Sequence, residues 1–275
     1  MEKFAQTIEN FPHTVNQAIL FQERAEAFQL REAPLLSEED YQALRKTVLE
    51  GIERDSSQNP YHTRLHTEEV EKRFFRLAQE ARLSSSVAQA GGIAALLHDY
   101  GHSGQTLRQK VSREIAHKDI SNEEFSAIAA DEILKSRLDP EQIIAIEVAI
   151  LGTSFGQAEG PYARSYKPLS SMDKLLAFAD IAGFTKGFHA WMKESMNVFR
   201  EMPLKNLPQD FSALVKDRKG FVGFIKMKLD EIAPLIGEAA AAQYADQLNA
   251  IKEALDSEEV NRWQVEYEAI QSAAL

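Results

Sequence analysis

The chain has 275 residues, a formal net charge of −11, 44% hydrophobic residues and no cysteine. That length sustains one large or two small cores without disulfide staples, and the absence of cysteine excludes a thiol nucleophile, a disulfide framework and thiolate-bound zinc. The acidic balance argues against a nucleic-acid backbone or an anionic membrane as partner.

Thirteen Gly and nine Pro are few, and strand-like alternation is nearly absent, so the pattern predicts an all-α fold. No apolar run approaches a membrane span, and Met1-Glu2-Lys3-Phe4 opens no signal-peptide apolar region. The expectation is a cytoplasmic protein. Residues 1–36 read as an N-terminal helical extension, with an amphipathic stretch over about 15–30 closed by Ala33-Pro34. Residues 37–275 read as one structural unit.

Ser37-Glu38-Glu39-Asp40 has the form of a cap opening a helix to about Arg54. Next comes Asn59-Pro60-Tyr61-His62-Thr63-Arg64-Leu65-His66. Pro60 suits a first helical turn, and a helix starting there projects His62 and His66, four apart, from one face. It continues through Val70, Phe74, Phe75 and Leu77. Ser84-Ser85-Ser86 opens a further helix that runs as Ala94-Ala95-Leu96-Leu97 into His98-Asp99, with His102 one turn later. Burying an imidazole and a carboxylate at an apolar helix end is costly without a partner. A divalent metal serves both groups at once.

Ser121-Asn122-Glu123-Glu124 caps a helix to Leu134, and Asp139-Pro140-Glu141-Gln142 caps another to Leu151. Residues 156–166 form the longest irregular stretch. The apolar run Leu175-Leu176-Ala177-Phe178-Ala179 then delivers a single carboxylate, Asp180. A helix over Phe188–Met202 is broken by Pro203 and Pro208. The pattern resumes from about Phe221 to Leu235, and two amphipathic helices finish the chain. Three separate elements thus bring metal-type ligands out of apolar surroundings.

These motifs together resemble the HD superfamily of metal-dependent phosphohydrolases, and most closely its class I cyclic-nucleotide phosphodiesterases. Tyr61 to His66 is similar to that family's Y-H-N-x-x-H, and His98 to His102 to its H-D-x-x-H. Ala179-Asp180-Ile181, followed by Thr185-Lys186, resembles its A-D-[LI] metal site. Phe221-Val222-Gly223-Phe224-Ile225 resembles its Q-V-G-F-I signature. The order and separation agree over about Tyr61 to Leu235.

The resemblance implies an HD/PDEase-like multi-helix domain holding two divalent ions, zinc or iron with magnesium or manganese. His66, His98, Asp99 and Asp180 would bind the first, and Asp99 would bridge to the second. Such a pair binds phosphoryl oxygens, lowers the pKa of a bridging water and stabilises the in-line transition state. His62 would be the general acid that protonates the leaving oxygen, a role contributing about 10²–10⁴-fold. His102 would act in the second ion's water shell, and Glu123 resembles the carboxylate that hydrogen-bonds such waters. Glu123 equally fits an ordinary acid in a helix's first turn. His13, His117 and His189 match no motif.

The match departs where the base would be read. Phe221 replaces the purine-binding Gln, Gly183 and Thr63 stand at two Asn positions, and Gly101 stands at an Asp. Phe224 keeps the aromatic that stacks the base. Phe221 and Phe224, an i, i+3 pair, share one side of a helix and offer stacking in place of an amide. The expected activity is hydrolysis of a small-molecule phosphoester, a 3′,5′-cyclic nucleotide first. Alternatives are another small phosphate ester or nucleotide monophosphate, or a catalytically silent ligand-binding relative. The oligomeric state is not readable.

Overall fold

The computed structural model describes residues 33–55, 59–100, 102, 122–154, 170–202 and 204–273. Among the described residues are ten α-helices, three short 3₁₀ segments and no strand, which makes the all-α expectation a finding. The stretch over 15–30, the loop over 156–166, Gly101, Ser121, His13 and His117 lie outside the described residues. The helices fall into two compact units. One is drawn from Met1–Ser57 and His62–Ala177, the other from Gln58–Tyr61 and Phe178–Leu275. No described helix is long and apolar enough to cross a membrane.

The first unit is built on α1 (Glu38–Asp55), α2 (Arg64–Glu80), α3 (Ser85–Leu97), α4 (Asn122–Leu134) and α5 (Pro140–Leu151). Helix α3 is apolar on every side, so it has to be covered on every side, and α1, α2, α4 and α5 all pack against it. Ala90 and Ile93 to Leu97 are all inaccessible to solvent. Gly91 and Gly92 permit the close approach of α2, since a methyl group at either would overlap the rings of Phe74 and Phe75. Glycine weakens a helix interior by about 1 kcal/mol relative to alanine, and the packing of those rings offsets that cost.

Local capping follows the sequence. The Ser37 hydroxyl accepts from Asp40 N at 3.1 Å and the Ser84 hydroxyl from Val87 N at 3.4 Å. Asp139, Pro140 and Gln142 form a capping box with proline in the first turn. Helices α1 and α2 are tied by a buried carboxylate: Glu71 accepts from Tyr41 Oη at 2.8 Å and from Arg45 Nε at 2.8 Å. Burial pushes the Glu71 carboxyl up, and the bonds from Tyr41 and Arg45 only partly oppose it.

Helix α2 starts at Arg64, not near Pro60. Thr63, in extended conformation, is its N-cap and accepts from His66 N at 3.3 Å. A capping hydroxyl satisfies one of the orphan donors of the first turn, and this one puts the helix boundary between the two histidines. His62 therefore does not share a helical face with His66.

The second unit holds the last turn of α6 (Ser171–Ile181), the 3₁₀ segment Ala182–Lys186, α7 (Phe188–Glu201), α8 (Phe211–Ile236), α9 (Glu238–Asp256) and α10 (Gln264–Ala273). Helices α8 and α9 pack along one another. They are joined at Gly237, whose φ of 84° lies in the left-handed region that glycine adopts without strain. Helix α8 begins ten residues earlier than the sequence pattern suggests, at an N-cap where Asp210 accepts from Ala213 N at 2.7 Å. The run Lys216-Asp217-Arg218-Lys219-Gly220 precedes the point where the sequence pattern resumes. Yet Arg218 is buried, its guanidinium lying 4.8 Å from the ring centroids of both Phe199 and Phe221. Planar guanidinium groups stack on aromatic faces, so a residue counted as polar extends the apolar stripe Leu214, Val222, Ile225 and Leu229.

Candidate metal centre

The buried helix α3 ends at His98, its C-cap, and the chain turns at once through Asp99 and Tyr100 to His102. The turn is held by Tyr100 N donating to Leu97 O at 3.0 Å and His102 N to Asp99 O at 2.9 Å. His66 comes from the first turn of α2, which packs along α3. His98 is 1% exposed and the Asp99 side chain 12%. A buried helix end therefore presents a largely covered carboxylate flanked by imidazoles.

His98 Nδ1 lies 2.8 Å from Ala95 O. A carbonyl only accepts, so Nδ1 carries hydrogen and, when the ring is neutral, its Nε2 lone pair turns inward. That Nε2 is 3.0 Å from Asp99 Oδ2, and His66 Nε2 is 3.1 Å from the same oxygen. The ligand atoms of His66, His98 and Asp99 lie within 4.8 Å of one another. A lone pair facing an anionic oxygen at about 3 Å is repulsive unless a proton or a cation lies between. Imidazole nitrogens and a carboxylate are suitable ligands for zinc, iron or manganese, so the group can hold a metal ion.

A second set shares Asp99. The ligand atoms of His62, Asp99 and His102 also lie within 4.8 Å of one another. The rings of His62 and His102 stack at 3.7 Å with 11° between planes, and His102 Nε2 is 3.7 Å from Asp99 Oδ1. Burial by itself pushes the Asp99 carboxyl up. The neighbouring His98 and His62, attracting the carboxylate when their rings are protonated, and His66 and His98, which can donate to it only in that state, outweigh burial and hold the group well below the usual carboxylate range.

The first unit thus brings together His62, His66, His98, Asp99 and His102. Glu123 is half-buried in the first turn of α4. Beside it stands a residue that sequence reasoning treated only as part of a cap: Asn122, whose side-chain nitrogen is 3.2 Å from His102 Nδ1. No motif marks it, because a helix-start Asn is ordinary at that position. Asp180 is half-buried in the last turn of α6 and belongs to the second unit, as do Phe221 and Phe224. Those two rings stack on each other at 6.1 Å and 17°, on one side of α8 as their spacing predicts. His189 packs against Trp263.

No family model, no curated protein and no solved structure matches the chain.

Proposed function

We propose that the chain is a metal-dependent phosphohydrolase of the HD type that hydrolyses a small phosphoester, with a 3′,5′-cyclic nucleotide as first-choice substrate. One observation carries the reading: two buried imidazole nitrogens, His66 Nε2 and His98 Nε2, both lie within 3.1 Å of a single oxygen of Asp99. A proton relieves one such contact at a time, whereas a divalent cation serves all three atoms together. Two ions, zinc or iron with magnesium or manganese, are proposed, the first held by His66, His98 and Asp99. The resemblance adds Asp180 as a fourth ligand and makes Asp99 common to both. Bound divalent ions supply positive charge for phosphoryl oxygens and a water acidic enough to attack near neutral pH.

The chain's own residues have three tasks. Asp99 offers one oxygen to each set, Oδ2 towards His66 and His98 and Oδ1 towards His102. His98 is fixed in orientation by its bond to Ala95 O, the kind of support that orients ligands and raises their basicity. His62 stands outside the helix, half-buried and stacked on His102. That leaves it a suitable general acid, giving its proton to the leaving alkoxide oxygen. Phe221 and Phe224 are proposed to contribute the base-stacking surface. A site without the purine-binding amide rewards a purine edge poorly, which favours weak adenine–guanine discrimination or a different phosphate ester. A cytoplasmic setting belongs to the same proposal.

The test is a screen for ring opening or phosphate release across cyclic nucleotides and monoesters, with Mg, Mn, Zn and Fe supplied in turn. His62→Ala should keep its metals and lose on the order of 10²–10⁴ in rate on an alkoxide leaving group. It should lose far less on a nitrophenyl ester. Equal losses on both substrates would contradict the acid role, and no hydrolysis with any metal would contradict the reading.

A further inference from the structure

His102 is held between two partners of the first unit. Asn122 Nδ2 stands 3.2 Å from its Nδ1, and Asp99 Oδ1 stands 3.7 Å from its Nε2. An amide –NH₂ donates and cannot accept, so Nδ1 must be the acceptor, and a neutral ring then carries its hydrogen on Nε2. The carboxylate asks for the same tautomer, because the reverse one would aim the Nε2 lone pair at an anionic oxygen. Stacking on His62 fixes the ring plane in which both contacts are made.

We infer that Asn122 is a positioning residue that locks His102 in its Nε2–H form, so that His102 faces the Asp99 Oδ1 side with an N–H and not with a metal-ligating lone pair. A nitrogen bearing hydrogen has no lone pair in the ring plane for an ion, and metal ligation requires the bare nitrogen. The three atoms of His62, Asp99 and His102 lie within 4.8 Å of one another, but Asn122 withholds one of them. This consequence for the second ion rests on the metal reading above; the tautomer itself is a property of the metal-free protein.

The test is a two-bond ¹⁵N–¹H spectrum of the full-length, metal-free protein labelled at histidine, with His102 assigned by its loss in His102→Gln. The wild type should show hydrogen on Nε2. Asn122→Asp replaces the amide with a group that accepts from Nδ1, so it should move the hydrogen to Nδ1 and free Nε2. Manganese binding at the second site should then tighten on the order of tenfold, the scale of outer-sphere changes. Asn122→Leu should leave the two tautomers mixed. A wild-type spectrum with hydrogen on Nδ1 overturns the inference whether or not any variant folds, and so does an unchanged tautomer in folded Asn122→Asp. A protein with the Nε2–H tautomer that binds no divalent ion keeps the positioning role and removes the phosphohydrolase reading instead.

Discussion

Among the described residues, no positive charge is set against the carboxylate of Glu147. It lies at 5% exposure on α5, a helix that packs against α4 and α3, and α3 carries no ionisable side chain along Ser85–Leu97. Burial pushes its carboxyl well up, and the Asp131 carboxylate on α4 pushes it further in the same direction. A native pKa above the unfolded one means that the native state binds the proton more tightly. The associated stability is complete below the unfolded glutamate value of about 4.3, falls as pH rises towards the native pKa, and stays lost above it. Glu147→Gln keeps the volume and removes the charge. At pH 7–8 it should stabilise by about 1–3 kcal/mol, because the buried carboxylate is charged without a compensating partner among the described residues whereas the amide is neutral. For a protein of this size that is roughly 2–12 °C in melting temperature. Melting curves of both proteins from pH 4 to pH 8 provide the assay. The gain should be present at neutral pH and shrink towards pH 4. A difference that stays constant across that range, or a Gln variant less stable at pH 8, would refute the reasoning.

Gly91→Ala should destabilise by about 1–3 kcal/mol, as overpacking does, because the new methyl meets the Phe74 ring; denaturant midpoints check it. Thr63→Ala removes the cap on α2 and should cost about 1 kcal/mol, while Thr63→Ser should restore most of it. If the serine variant fails to recover the midpoint, the hydroxyl is not what holds the helix start.

Much of the fold was legible because capping and periodicity act locally. Ser37, Ser84 and the Asp139-Pro140-Gln142 box each start a helix within a residue of where the pattern places it. The same holds for the cluster around Asp99, where an apolar helix ending in His-Asp is a chemical anomaly visible in the chain itself. What failed was one local choice between two helix-start signals and, otherwise, inferences that depend on partners distant in sequence. Pro60 looked like a first turn, yet Thr63 captures that role, and His62 stands outside the helix. The start of α8 is hidden because Arg218 counts as polar in any pattern, and part of what buries it, Phe199, lies on another helix. Asn122 was invisible for the same reason: its significance lies in His102, twenty residues away in the chain.

His66, His98 and Asp99 are proposed to hold a divalent ion. The most direct measurement is metal content by elemental analysis of the natively purified protein and its Asp99→Ala variant, with melting temperature before and after chelation. An ion bound only to the native state stabilises it by mass action, about 2.7 kcal/mol at a free concentration 100 times Kd. The wild type should retain at least one equivalent of metal and lose several degrees on chelation. Asp99→Ala should retain none and show no response to the chelator. A wild type free of metal and unmoved by chelation, or a variant that keeps its metal in full, would contradict the account.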